Sequence, residues 1–150
     1  MKKLIPFLIL LVITGMVIAG GTVVNFTITP AVTTVSANST NTTAGTTLLI
    51  ANPIEKGRLY VSASGIAATT NGLLTIYFST ASGNVGTTNT FDDASTSLIK
   101  LSMTNIGANT MGVSDWFELS GVKYIRVGRI ENTQFGVVSN ISINLSHASP

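Results

Sequence analysis

Val137-Val-Ser-Asn-Ile-Ser-Ile-Asn-Leu145 decides the fold class. Val137, Ser139, Ile141, Ile143 and Leu145 alternate with Val138, Asn140, Ser142 and Asn144, the period-2 sign of a half-buried strand. The same period recurs upstream. Val24, Phe26 and Ile28 alternate with Asn25, Thr27 and Thr29; Leu59, Val61 and Ala63 share one face of 57–64; Ile99, Leu101 and Met103 do so in 97–103. Further apolar runs at 47–51, 73–79, 113–119 and 122–130 bring the count to about eight short strands. Turn signals separate them and no helical period occurs after residue 21. The expectation is all-β: a single antiparallel β-sandwich over 25–150, jelly-roll or immunoglobulin-like, with both topologies open. Asn71-Gly72 predicts a tight hairpin joining 57–64 to 73–79. Thr33 to Thr47, rich in Thr, Ser and Asn, reads as a loop or a spacer.

Ahead of this body stands a segment of another character. Met1-Lys2-Lys3 precedes an uncharged stretch from Leu4 to Val24. As a secretory signal it has a basic start, an apolar core and a small-residue site at Val17-Ile18-Ala19. As a helix, Leu4–Val24 would extend about 31 Å, enough to span a bilayer. Residues 1–24 are therefore expected to form an N-terminal hydrophobic helix, kept as a membrane anchor or removed as a signal. Either way the lysines stay on the cytoplasmic side and the body is extracytoplasmic.

Composition narrows the function classes. Of eight Lys and Arg, two are Lys2 and Lys3, which leaves six against six Asp and Glu; the body is neutral. With no surplus of cations to displace phosphate counterions, no nucleic-acid partner is expected. Charged residues make up 9% of the chain, so solubility rests on hydroxyls and amides, a skin that permits close self-association. Cysteine is absent, which excludes disulfides and thiolate chemistry.

Candidate sites are sparse. The single histidine, His147, has no evident nucleophile or orienting partner, and no catalytic or cofactor-binding residue is expected. Asp92-Asp93 is the one acidic pair and the one candidate for a hard cation, though its spacing matches no calcium loop and turn chemistry accounts for it. Tyr60, Tyr77, Phe78, Trp116, Phe117 and Tyr124 are expected as core or cross-strand rings, with a sugar-binding face as the alternative. Lys123, Arg126 and Arg129 are expected to meet Asp115 and Glu118 across Ser120-Gly121. Five sequons, at Asn25, Asn38, Asn41, Asn140 and Asn144, are glycosylation candidates, with Asn38 and Asn41 favoured by their place in the spacer. The first and last strands carry no charge, and as edges they would invite strand addition from a neighbour.

Two resemblances bear on function. Leu4-Ile-Pro-Phe-Leu-Ile-Leu-Leu-Val-Ile and Val17-Ile-Ala-Gly-Gly resemble the opening of archaeal type IV pilin-like proteins, although Leu4 stands where those have Gly or Ala. Ser120-Gly-Val-Lys-Tyr-Ile-Arg-Val and the strand after it resemble the terminal hairpin of small β-sandwich proteins among viral structural components. With the hydrophobic leader, the neutral low-charge body and the lack of catalytic groups, the expectation is a non-catalytic structural subunit of a surface assembly. A membrane-anchored virion protein is the leading expectation, with a pilus or filament subunit and a secreted carbohydrate-binding module as alternatives. The expected partners are copies of itself or other structural subunits, and lipid through Leu4–Val24.

Overall fold

A computed structural model describes residues 23–50, 56–65, 72–82, 91–94, 97–104 and 106–148. The hydrophobic segment before Val23, and with it the expected helix, lies outside the described residues. Within them no helix is long and apolar enough to cross a membrane.

Among the described residues there are ten strands: β1 (Val23–Ile28), β2 (Ser39–Asn41), β3 (Leu48–Leu49), β4 (Lys56–Gly65), β5 (Leu73–Ala81), β6 (Lys100–Thr104), β7 (Thr110–Val113), β8 (Phe117–Glu118), β9 (Tyr124–Asn132) and β10 (Val138–Ala148). They form two antiparallel sheets. The first runs β1-β10-β4-β7 with β8 also on β4; the second runs β2-β9-β5-β6 with β3 also on β9. Since β7 and β8 share one neighbour, as do β2 and β3, the architecture reduces to two sheets of four positions. The all-β, sandwich-like expectation holds.

Alternation drives the packing. β4 buries Gly57, Leu59, Val61 and Ala63 and turns the residues between them outward. β10 contributes Ile141, Ile143 and Leu145, β5 contributes Leu74, Ile76 and Phe78, and β9 contributes Ile125, Val127 and Ile130 to the same apolar cluster. Each sheet thus presents one apolar face to the other, which is how sandwiches exclude water.

The strands on either side of Asn71-Gly72 are not hairpin partners, and Asn71 itself lies outside the described residues. β4 pairs with β10, β7 and β8, whereas β5 pairs with β6 and β9, so the chain crosses between sheets there. Both strands need neighbours on two sides, and an Asn-Gly signal marks a turn without choosing the strands it joins. A type I′ turn would hold its glycine at positive φ. Among the described residues only Asn38 (47°), Asn140 (53°) and Gly121 (77°) do so. Gly72 instead lies against the main chain of Gln134, and a Cβ there would stand 2.6 Å from Gln134 N. Gly72→Ala is therefore expected to cost about 1–3 kcal/mol by overpacking, read as a lower urea midpoint.

Ser120-Gly121 is likewise a crossing. Val122 N–H donates to Leu119 O at 2.9 Å, and Gly121 at φ 77° supplies the third position of a type II turn from β8 to β9. The last strand, expected as a possible edge, is interior: β10 lies between β1 and β4. Near its start Asn140, in the left-handed region, marks a bulge between Ser139 and Ser142, which reverses the expected faces ahead of it, so that Val138 is buried and Val137 exposed; Ile141 N–H donates to Thr33 O at 3.1 Å.

The 33–47 segment is strapped to the body and does not act as a spacer. Val35 is buried and exchanges two main-chain hydrogen bonds with Val138, at 2.8 and 3.0 Å. Ser39–Asn41 pairs with β9, and Gly45 N–H donates to Val127 O at 2.8 Å. Hydroxyl-rich composition hid a backbone ladder that uses few apolar anchors. Buried Asn132 locks the strap: its Nδ2 faces the carbonyls of Val35, Ser36 and Gly136 at 3.3, 3.0 and 2.9 Å, and its Oδ1 accepts from Gln134 N–H at 3.0 Å.

Candidate interaction surfaces

Register places the outward side chains of the first sheet in rows. Asn25, Ser146 and Arg58 form one; Thr27, Asn144, Tyr60 and Val113 form the next; Ser142, Ser62 and Met111 form a third. Amides and hydroxyls fill the middle of this face. Its charges lie toward one end, where Lys56 and Glu118 pair at 3.7 Å and Arg58 packs beside Tyr60. Among the described residues β1 has one neighbour, β10, so its outer side is a sheet edge without a charged residue.

The second sheet is different. Lys100, Tyr77 and Arg129 form a row on its outer face, with Lys100 Nζ and the Arg129 guanidinium 5.9 and 5.4 Å from the Tyr77 ring. Arg129 also pairs with Glu131 at 3.2 Å, and Arg126 stacks on Phe91 at 3.8 Å. The expected pairing of Arg126 and Arg129 with Asp115 and Glu118 is thereby corrected, because both arginines lie on the second sheet and Glu118, on the first, pairs with Lys56. Asp92 accepts from Thr80 Oγ1 at 2.8 Å and its N–H donates to Thr80 O at 3.0 Å, so it closes a loop against β5. Asp92 and Asp93 border a cavity of about 320 Å³ together with Arg126 and Arg129. Among the described residues no cluster of three metal-ligating side chains includes them.

The flank where β6 meets β7 and β8 carries the third surface. The expected strand 113–119 is broken: Tyr60 pairs with Val113 and Gly57 with Phe117. Arg58 and Leu59 are therefore opposed by three residues, Ser114, Asp115 and Trp116, which is a bulge of one extra residue. Ser114 is its pivot. Leu59 N–H donates to Ser114 Oγ at 2.9 Å, Ser114 N–H to Leu59 O at 3.0 Å, and Arg58 Nε–H to Ser114 O at 2.8 Å. Beyond the pivot, Trp116 is 47% exposed although Phe78 is fully buried, so the expected aromatic set divides. Tyr60, Tyr77, Phe117 and Tyr124 lie between these limits. Arg58 and Ser114 were missed in the sequence; the legible sign was a Ser-Asp pair, turn formers, inside an apolar run.

The sequons separate by environment. Asn25, Asn38 and Asn140 are exposed. Asn41 and Asn144 are half-buried, and their side-chain oxygens accept from Thr43 N–H at 3.0 Å and Thr27 Oγ1 at 3.1 Å. His147 lies on β10, in register with Gly57 on one side and Val24 on the other.

No protein-family model matches the chain, and no curated protein sequence matches it.

Proposed function

We propose that this chain is a non-catalytic structural subunit of a surface assembly, with a jelly-roll body. The leading form is a membrane-anchored virion protein, tied to lipid through Leu4–Val24. The jelly-roll reading rests on strand order. Successive positions fall in sheets one, two, one, two, two, one, two, one, which gives two four-position sheets that exchange strands along the chain. An immunoglobulin sandwich groups its first two strands in one sheet, and here β1 and β2 are in different sheets. Capsid and lectin domains are among the proteins that use the jelly roll.

One observation carries the assembly reading: β1, uncharged, lies at the edge of a sheet whose outer face is mostly hydroxyl and amide. Monomeric proteins blunt such edges with charge, bulges or covering loops. The test is sedimentation equilibrium of the full chain in density-matched detergent. The wild type is expected to form multimers, and Asn25→Lys with Thr27→Lys to shift it toward single chains. The folding cost should be within about 1 kcal/mol, since both sites are exposed. Asn25→Gln, which removes a sequon without adding charge, is expected to leave assembly intact. A wild type sedimenting as a 15.6 kDa chain at every concentration would overturn the reading.

A further inference from the structure

We infer that the flank cleft beside Trp116 is a binding site for a neutral pyranose sugar. The inference stands apart from the assembly reading, which concerns the opposite edge of the first sheet. The cleft has a volume of about 480 Å³ and is lined by Leu98, Lys100, Ser102, Val113, Asp115 and Trp116 among others. Small-molecule sites run from roughly 300 to 1,000 Å³.

Three features make it a built site. The one-residue bulge at Ser114–Trp116 lies opposite Arg58 and Leu59 of β4, and bulges re-aim side chains. Its pivot is fixed by three hydrogen bonds of 2.8 to 3.0 Å. The guanidinium of Arg58, whose Nε–H donates to Ser114 O, stands 5.9 Å from the ring centres of both Trp116 and Tyr60. A side chain that would contribute most to stability if buried is thus held half-exposed by a dedicated local structure.

The lining selects the ligand class. An aromatic plate needs a flat apolar face against it. Asp115 and Lys100 need hydrogen-bonding groups at that ligand's rim, while the Ser102 hydroxyl already meets Thr75 Oγ1 at 3.0 Å. A pyranose has both, with C–H bonds on its face and hydroxyls around its edge. Asp115 presents two acceptor oxygens to paired hydroxyls, and Lys100 presents donors. A wholly apolar partner would strip water from this carboxylate and ammonium without replacing their hydrogen bonds. Lys100 and Asp115 balance within the lining, and Arg58 beside the indole adds a single positive charge, too little to favour a polyanion.

Trp116 is the only tryptophan, so its emission reports on this cleft alone. The experiment titrates the full chain, in a polyoxyethylene detergent free of sugar headgroups, with neutral oligosaccharides built from glucose, galactose, mannose and N-acetylglucosamine. At least one is expected to give a saturable change in emission. By calorimetry with that sugar, Trp116→Ala should weaken binding roughly 10- to 100-fold, as for aromatic anchors generally. Trp116→Phe should retain part of it and Asp115→Asn should weaken it about tenfold. The unfolding midpoint of each variant should match the wild type, because neither side chain is in the core. The inference is overturned if no sugar gives saturation, if Trp116→Ala binds as tightly, or if emission changes with protein concentration alone, which would assign the cleft to a second copy. None of these outcomes alters the sedimentation test of assembly.

Discussion

Asn132→Ala is expected to destabilise the body by about 3–5 kcal/mol, lowering its melting temperature by roughly 10–20 °C. Asn132 is fully buried, and its amide is the shared partner of three carbonyls and one N–H from two stretches distant in sequence. Two N–H bonds serve the three carbonyls, so the contact with Val35 O at 3.3 Å is the weakest; that carbonyl also accepts from Val138. Truncation leaves the buried Gln134 N–H and the part-buried Ser36 O and Gly136 O without this partner, at about 1–3 kcal/mol for a buried orphan and less for the two carbonyls, and it adds a cavity. Asn132→Asp separates chemistry from shape. It keeps the volume but turns a carboxylate oxygen toward carbonyls, so it should be at least as damaging. If the residue only filled space, Asn132→Asp would be mild. Urea denaturation with a common slope measures both variants.

The second large effect is expected at Phe78. Its ring is fully buried at the middle of β5, inside the apolar cluster between the sheets. Phe78→Ala should cost about 3–5 kcal/mol, from lost transfer energy and the cavity left behind. The preceding residue provides the contrast. Tyr77 faces out, where its hydroxyl reaches Glu131 at 3.3 Å, and Tyr77→Ala should cost roughly 1 kcal/mol. A one-residue slip in register would exchange these two values, because it turns every side chain to the other face. The pair of measurements therefore tests the register of β5 against β6 and β9.

Strand faces were legible because burial repeats every second residue. Leu59, Val61 and Ala63 read correctly, as did Ile99, Leu101 and Met103, Ile141, Ile143 and Leu145. Strand neighbours were not legible, since a period of two says which way a side chain points and nothing about which strand lies beside it. Hence Asn71-Gly72 and Ser120-Gly121 read as hairpins and are crossings between sheets. The 33–47 strap was hidden because main-chain hydrogen bonds, which composition does not record, hold Val35 and Gly45. The bulge at Ser114 was hidden for a related reason: one inserted residue changes the parity of 113–118 without changing its apolar look. The charge balance of the body was readable in total. Its segregation, with Arg126, Arg129 and Lys100 on one sheet face and amides on the other, needed the register.

The assembly reading depends on whether the outer side of β1 acquires a partner strand. Hydrogen exchange of the full chain, followed by mass spectrometry across a dilution series, measures this directly. Peptides covering Val23–Ile28 are predicted to exchange slowly at high concentration and to lose about half of that protection on dilution, because an edge strand keeps only the hydrogen bonds to one neighbour. Peptides covering interior β10 should not change. Equal exchange of Val23–Ile28 at every concentration, in protein that remains folded, would contradict the account.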